Sequence, residues 1–206
     1  MITGPEIERY IAALQPRRDP ILLEMEAYAG EHGVPIVGPV VGRILAQLVM
    51  VSRARRIFEL GSAIGYSTLW LAQAAGDGAE VHYTDSDRAN AGKARRWFER
   101  AGVADRIRLH VGDALAALES TPGAFDLVFN DVNKEQYLDV LASAAPRVRS
   151  GGLFVSDNAL WHERVLHPRD EASRTVAEFN RKLFEHKDFF TTLLPVRDGL
   201  LIAWKR

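Results

Sequence analysis

The sequence predicts an α/β fold: a doubly wound, mostly parallel sheet with helices on both faces, preceded by a set of N-terminal helices. Three observations carry this. From Arg55 onward, short apolar runs alternate with stretches of helical periodicity, the pattern of successive βαβ units. Runs such as "RRIFELG", which ends in Gly61, and the first half of "LVFNDVNKEQY" are short and apolar, as expected of buried strands. The last two runs, "FFTTLLP" and "GLLIAWK", flank "VRDG", the composition of a hairpin turn.

The elements follow in order. "GPEIERYIAALQ", "PILLEMEAYAGEHG" and "PVVGRILAQLVMVS" carry apolar residues at helical spacing, and Pro16, Pro20, Gly33 and Pro35 punctuate them. "RRIFELG" is then a strand and "YSTLWLAQAAG" a helix closed by Gly76. "EVHYTD" and "RIRLHVG" are strands separated by the helix "DRANAGKARRWFERAG". After the short helix "DALAALES" come the strand "AFDLVFND", the helix "EQYLDVLASAAPRV", the strand "GGLFVSDN" and the long helix "EASRTVAEFNRKLFEHKD". "HPRDEASR", His167 to Arg174, is polar enough to form a loop over the site. The organisation is one domain over 1–206, with a helical segment over 1–52 and the α/β core over 53–206.

Composition excludes several functions. With 26 basic and 27 acidic residues the net charge is −1, so no overall basic excess points to nucleic acid. No cysteine is present, which rules out disulfides, thiolate metal sites and cysteine nucleophiles and suits a reducing compartment. The first residues lack an apolar signal core and no run reaches the roughly 20 apolar residues of a membrane span, so a cytoplasmic protein is expected.

Right-handed crossovers put the carboxyl ends of the parallel strands on one edge, where ligands bind at the topological switch point. Each of those ends carries a carboxylate: "ELGSAIGYS", "TDSD", "GDA", "FNDVNK" and "VSDNALW". In "ELGSAIGYS", Gly61 and Gly65 allow a sharp turn and close backbone approach, and a helix N-terminus follows. The spacing is not that of a dinucleotide fingerprint, and no phosphate-loop lysine follows. Asp85 ends the next strand, 24 residues after Gly61, where a carboxylate holds ribose hydroxyls. Asp87 is a helix cap, and Asp113 is placed to reach an adenine amino group. A nucleoside with an amino-acid end, as in S-adenosylmethionine, fits this set.

"ELGSAIGYSTLWLA" resembles motif I of class I S-adenosylmethionine-dependent methyltransferases. With "VGPVVGRIL", "AGVADRIRLHVGDAL", "FDLVFNDVNKEQY", "GGLFVSDNALWHERV" and "LLPVRDGLLIAWK", the chain resembles the metal-dependent O-methyltransferases, the group containing catechol and caffeoyl-CoA O-methyltransferases. The resemblance implies a Rossmann-like, seven-stranded sheet with its last strand antiparallel. It assigns Val37, Glu59, Gly61, Ser62, Tyr66 and Ser67 to the methionine end, Asp85 to the ribose, and Asp113 and Ala114 to the adenine. It further implies a homodimer and a small hydroxylated aromatic acceptor.

Asp131 ends one strand while Asp157 and Asn158 end another. Neighbouring parallel strands lie about 4.8 Å apart, so these three oxygen donors can converge on a hard cation such as Mg²⁺. They match the family's metal ligands, with Asp131 bordering the cofactor as well. Lys134 matches the family's catalytic lysine, a base for a hydroxyl whose acidity a metal raises. This chain reads "DVNK" where the family commonly reads "DADK". Asn130, Asn133, Glu163 and Arg197 are further departures; Glu163 and Arg197 are expected near the acceptor's entrance. Trp70, Leu71 and Trp97 read as packing, Trp161 as a wall of the acceptor site and His162 as surface or substrate contact. "KARRWFER" reads as a solvated helix face. The expected function is metal-dependent O-methylation of a catechol-like aromatic. The rivals are methylation of a tRNA hydroxyuridine, which predicts salt-dependent RNA affinity, and a catalytically idle S-adenosylmethionine-binding protein.

Overall fold

A computed structural model describes residues 5–16 and 19–206. Three helices come first: α1 (Pro5–Leu14), α2 (Pro20–His32) and α3 (Gly38–Ser52). Gly4, the expected first residue of the first helix, lies outside the described residues. At the start of α2 the Asp19 carboxylate accepts from the Ile21 N–H at 2.7 Å and Pro20 takes the first turn, where its missing N–H costs nothing. Gly33 ends the helix in a left-handed conformation.

The alternating core follows as β1 (Arg56–Leu60), α4 (Tyr66–Ala75), β2 (Glu80–Asp85), α5 (Arg88–Arg100), β3 (Ile107–Val111), α6 (Ala114–Ser120), β4 (Phe125–Asn130), α7 (Tyr137–Ala144), β5 (Val148–Ser156), α8 (Glu171–Glu185), β6 (Phe189–Leu194) and β7 (Leu200–Lys205). The sheet has seven strands in the order β3-β2-β1-β4-β5-β7-β6. The pairs from β3 through β5 are parallel, and β7 runs antiparallel to both β5 and β6. The order reverses between β1 and β4, so the loops after those two strands flank the switch point.

Alternation along β1 sets the two cores. Ile57 packs into the layer with α3, α4 and α5, and Phe58 and Leu60 pack into the opposite layer with α7 and α8. Helix α4 is buried over most of its length because α3 covers the side turned away from the sheet. Trp70 and Leu71 belong to that core, as their apolar setting in the helix predicts. Trp97 packs edge-on to Tyr28 with the Arg100 guanidinium 5.0 Å from its ring, so it is a packing residue away from the cleft described below.

One expectation needs correction. His167–Arg174 is not a single loop over the site. Its second half, Glu171–Arg174, is the first turn of α8, fixed by Asp170, whose carboxylate accepts from the Ser173 N–H at 2.7 Å in a capping box. None of His167–Arg174 lines the cleft.

Candidate active site

A cleft of about 1510 Å³ runs along the carboxyl ends of β1, β2, β4 and β5. A site for one small ligand measures roughly 300–1,000 Å³, so this cleft has room for two molecules side by side. Val37, Gly61, Ser62, Tyr66, Ser67, Asp85, Asp113, Ala114, Asp131, Lys134, Asp157 and Asn158 all line it. Of the residues singled out from the sequence as binding or catalytic, only Glu59 does not.

One half is organised around the β1–α4 loop. Gly61 has φ +82°, and a Cβ there would stand 2.5 Å from the Asp131 carbonyl oxygen. A side chain would therefore push the loop off the end of β4. Thr84 on β2 anchors the same loop: its hydroxyl accepts from the Gly61 N–H at 3.1 Å and donates to the Glu59 carbonyl at 2.8 Å. The Ser62 N–H donates to the Thr84 carbonyl at 2.8 Å, and the Tyr83 hydroxyl to the Ala63 carbonyl at 2.6 Å. Glu59 is enclosed behind this loop with no exposed surface. The Thr68 hydroxyl donates to its Oε2, while Oε1 has no partner. Burial raises its pKa to about 7, although the hydroxyls of Ser67, Thr68 and Ser62 oppose the shift. Asp85 accepts from the Asp87 N–H at 2.7 Å, and burial pushes its pKa up. Asp87 caps α5 as expected. Asp113 faces the cleft as the cap of α6, its Oδ1 accepting from the Ala116 N–H at 2.8 Å.

The other half gathers polar groups at the ends of β4 and β5. The pair Asn130↔Ser156 closes the β4–β5 ladder, so Asp131 and Asp157 leave adjacent strands at the same level. Lys134 is buried, and its Nζ donates to Asp131 Oδ1 at 3.2 Å and to the Val132 carbonyl at 3.0 Å. It lies 5.1 Å from the Tyr137 ring centre and 5.5 Å from that of Trp161. Asp157 is 6% exposed, its Oδ1 has no partner, and the Tyr137 hydroxyl fixes its backbone carbonyl at 2.8 Å. Burial raises the pKa of both carboxyls; the Asp131 charge raises that of Asp157 further, and Lys134 opposes the rise in both. Two acids that resist ionising together, one with an oxygen shut away from any donor, fit a divalent cation. Among the described residues no three His, Asp or Glu side chains cluster as a metal site, so a cation held by Asp131 and Asp157 would take any third protein donor from an amide. Asn158 supplies one beside Asp157.

Sequence reasoning passed over Asp198, in the turn between β6 and β7. Its Oδ1 accepts from the His162 N–H at 2.6 Å and its Oδ2 from Asn158 Nδ2 at 3.4 Å. The second bond turns the amide's Nδ2 toward Asp198 and leaves its Oδ1 for other partners. The Ala159 and Leu160 N–H groups donate to the carbonyls of Gly199 and Asp198 at 2.9 and 2.8 Å. Gly199, at φ +87°, permits this contact, because a Cβ there would lie 2.8 Å from the Leu160 nitrogen. The loop so held has Asn158, Trp161, His162 and Glu163 all at positive φ. Such backbone costs about 1 kcal/mol or more per residue outside glycine. Trp161, His162, Asn133 and Arg197 line the cleft; Asn130 lies beneath it, its Nδ2 donating to Ser156 Oγ at 2.9 Å.

Comparison with known proteins identifies the family. The family model described as O-methyltransferase matches residues 22–206. A catechol O-methyltransferase of Mycobacterium tuberculosis is 33% identical over 98% of this chain and 96% of its own length. The crystal structure of a putative O-methyltransferase from Klebsiella pneumoniae superposes with a TM-score of 0.88 at 32% identity, covering 97% of this chain and 95% of that one. The O-methyltransferase TomG of Streptomyces achromogenes, involved in tomaymycin synthesis and solved with S-adenosylmethionine, gives 0.89 at 28% identity, covering 97% and 96%. The chain belongs to the O-methyltransferase family, class I enzymes that use S-adenosylmethionine.

Proposed function

We propose that this enzyme transfers the methyl group of S-adenosylmethionine to one hydroxyl of a small vicinal-dihydroxy aromatic, and that it requires Mg²⁺. The observation that carries the reading is the meeting of Asp131, Asp157 and Asn158 beside the buried amine of Lys134, in the same cleft as the glycine loop. The glycine loop with Val37, Tyr66 and Ser67 would hold the methionine end. Asp85 would hold the ribose, and Asp113 with Ala114 the adenine. Asp131, Asp157 and Asn158 would hold the metal. When bound, Mg²⁺ would acidify and orient the acceptor's two oxygens. Lys134 would take the proton of the reacting hydroxyl, its amine kept at the cleft wall by Asp131 and the Val132 carbonyl. Trp161 and Tyr137 exclude water around that amine, and in-line positioning supplies much of the rate. The reading also carries a single catalytic domain over 1–206, acting as a cytoplasmic homodimer. No described helix is long and apolar enough to cross a membrane. The test is methyl transfer from labelled S-adenosylmethionine to a panel of catechols, with Mg²⁺ and then with EDTA. Turnover that chelation abolishes supports the reaction and its metal; turnover untouched by chelation refutes the metal. Transfer to RNA alone refutes the acceptor.

Two further outcomes follow. Glu59, whose lone Oε1 is enclosed behind the glycine loop, is assigned to the methionine ammonium that this loop would hold, acting on it from behind the loop, and that attraction needs the ionised carboxylate. Affinity for S-adenosylhomocysteine should therefore rise as pH passes upward through about 7 and fall up to tenfold per unit below it. Glu59→Gln should flatten that profile in calorimetry. The stability sign is opposite: a raised carboxyl pKa stabilises the fold fully below 4.5, and this is lost as pH rises through about 7. The ligand-free melting temperature should fall across that window, and less so in the Gln variant.

Asp198→Asn should loosen the Asn158 amide and the 158–163 loop. Metal affinity should drop about 10–100-fold, as for other partners that orient metal ligands, with S-adenosylhomocysteine affinity unchanged. Equal Mn²⁺ titrations of variant and wild type would refute the role.

A further inference from the structure

Arg197 stands where the proposed function needs no charge. It sits in the turn between β6 and β7 with φ +48°, a left-handed backbone that costs a non-glycine residue about 1 kcal/mol or more. Its side chain crosses to the segment before α3, where Nη1 donates to the Ile36 carbonyl at 3.1 Å. The guanidinium covers Gly38 so closely that a Cβ there would lie 2.3 Å from Nη1. The group is thus pinned at the wall of the cleft, with Trp161, His162 and Val196 also lining it. Yet it is exposed, and no carboxylate among the described residues lies within ion-pair distance of it. Its remaining N–H donors are therefore unspent.

Its charge does reach Asp131 and Asp157. A divalent cation between those carboxylates would leave that floor formally neutral, so Arg197 is not needed to balance it. A fixed, unpaired guanidinium at the wall of a water-accessible cleft is a receptor for a planar anion, because its forked donors match a carboxylate in a bidentate pair. We propose that Arg197 recognises a carboxylate on the acceptor: the enzyme's substrates are dihydroxy aromatics that carry an acid group on the ring substituent, with the diol at Asp131 and Asp157 and the acid at Arg197. This rests on the dihydroxy-aromatic reading above.

The rival occupant of the guanidinium is the cofactor's own carboxylate, since Val37 follows Ile36. The experiment separates the two. kcat/KM is measured for 3,4-dihydroxycinnamate, its methyl ester and unsubstituted catechol in the wild type, Arg197→Gly and Arg197→Lys, with the Kd of S-adenosylhomocysteine from calorimetry. Glycine suits the positive φ, so that variant keeps the turn. The wild type should prefer the acid over the ester by about tenfold or more, the scale of one charge-assisted bidentate pair. Arg197→Gly should bring acid and ester within about twofold of each other, whatever its absolute rate, with S-adenosylhomocysteine affinity unchanged, and Arg197→Lys should fall between. A preference that survives in Arg197→Gly, or a wild type without one, overturns the proposal. A weakened Kd for S-adenosylhomocysteine in Arg197→Gly also overturns it, in favour of the cofactor's carboxylate. Failure of the wild type on all three compounds is a different result: it refutes the dihydroxy-aromatic reading and this inference falls with it.

Discussion

Asp157→Ala is expected to abolish Mg²⁺-dependent turnover, lowering kcat/KM by about 10³-fold or more, since on the proposed reading it deletes a metal donor and not a contact to the cofactor. Calorimetry should give the same S-adenosylhomocysteine affinity within about twofold, because the glycine loop is held by Thr84 and Tyr83, well apart from β5. Thermal shifts supply a second readout with a definite sign. The Asp157 carboxyl is pushed above its ordinary range by burial and by the Asp131 charge. Its contribution to stability is full below the usual carboxylate pKa and is lost as pH rises and the buried acid ionises. At pH 8 in EDTA, the alanine variant should therefore melt no lower than wild type, apart from the cavity left by a small side chain. Wild type should gain stability on adding Mg²⁺, because a ligand that binds only the folded state stabilises it in proportion to the logarithm of its concentration over Kd. The variant should gain none. Full activity in Asp157→Ala would remove the metal assignment altogether.

Much of this was legible in the sequence because it is written in strand ends. Asp85, Asp131 and Asp157 each follow a run of apolar residues, and a parallel sheet brings such positions to one edge whatever the details of the loops. The hairpin at "VRDG" and the helix stops at Gly33 and Gly76 were readable for the same local reason. Asp198 was not, since an aspartate before a glycine in a turn already has a sufficient local explanation. Its meeting with Asn158 arises only when β7 pairs with β5 and its turn comes to lie against the 158–163 loop. The positive φ values in that loop fall on Asn158, Trp161, His162 and Glu163, and Trp and Glu give no sequence signal for left-handed backbone. Two features were available and passed over. Glu59 alternates with Phe58 and so shares the α4 side of β1 with Ile57, behind the glycine loop and out of the cleft. Asp170 followed three residues later by Ser173 is a cap spacing, which would have moved the start of α8 out of the supposed loop.

Lys134→Ala is expected to slow methyl transfer by about 10²–10⁴-fold while KM for S-adenosylmethionine stays near the wild-type value, the signature of a lost proton acceptor. A structural lysine could also weaken the enzyme when deleted, since the change strips a partner from Asp131 Oδ1 and from the enclosed Val132 carbonyl. Three measurements separate the roles. Lys134→Met keeps the length and apolar stem between the Tyr137 and Trp161 rings, so it should restore melting temperature without restoring rate. Metal affinity should hold or tighten in both variants, because removing a cation beside Asp131 frees that carboxylate for the metal. The pH profile of kcat should change shape only if Lys134 handles the proton: an acceptor hydroxyl left to lose its proton to water should then gain rate with added hydroxide across the whole range. If Lys134→Met restores both stability and rate, the apolar stem between the two rings is what the site needs and the amine is dispensable, so the proton must leave by another group at the cleft wall.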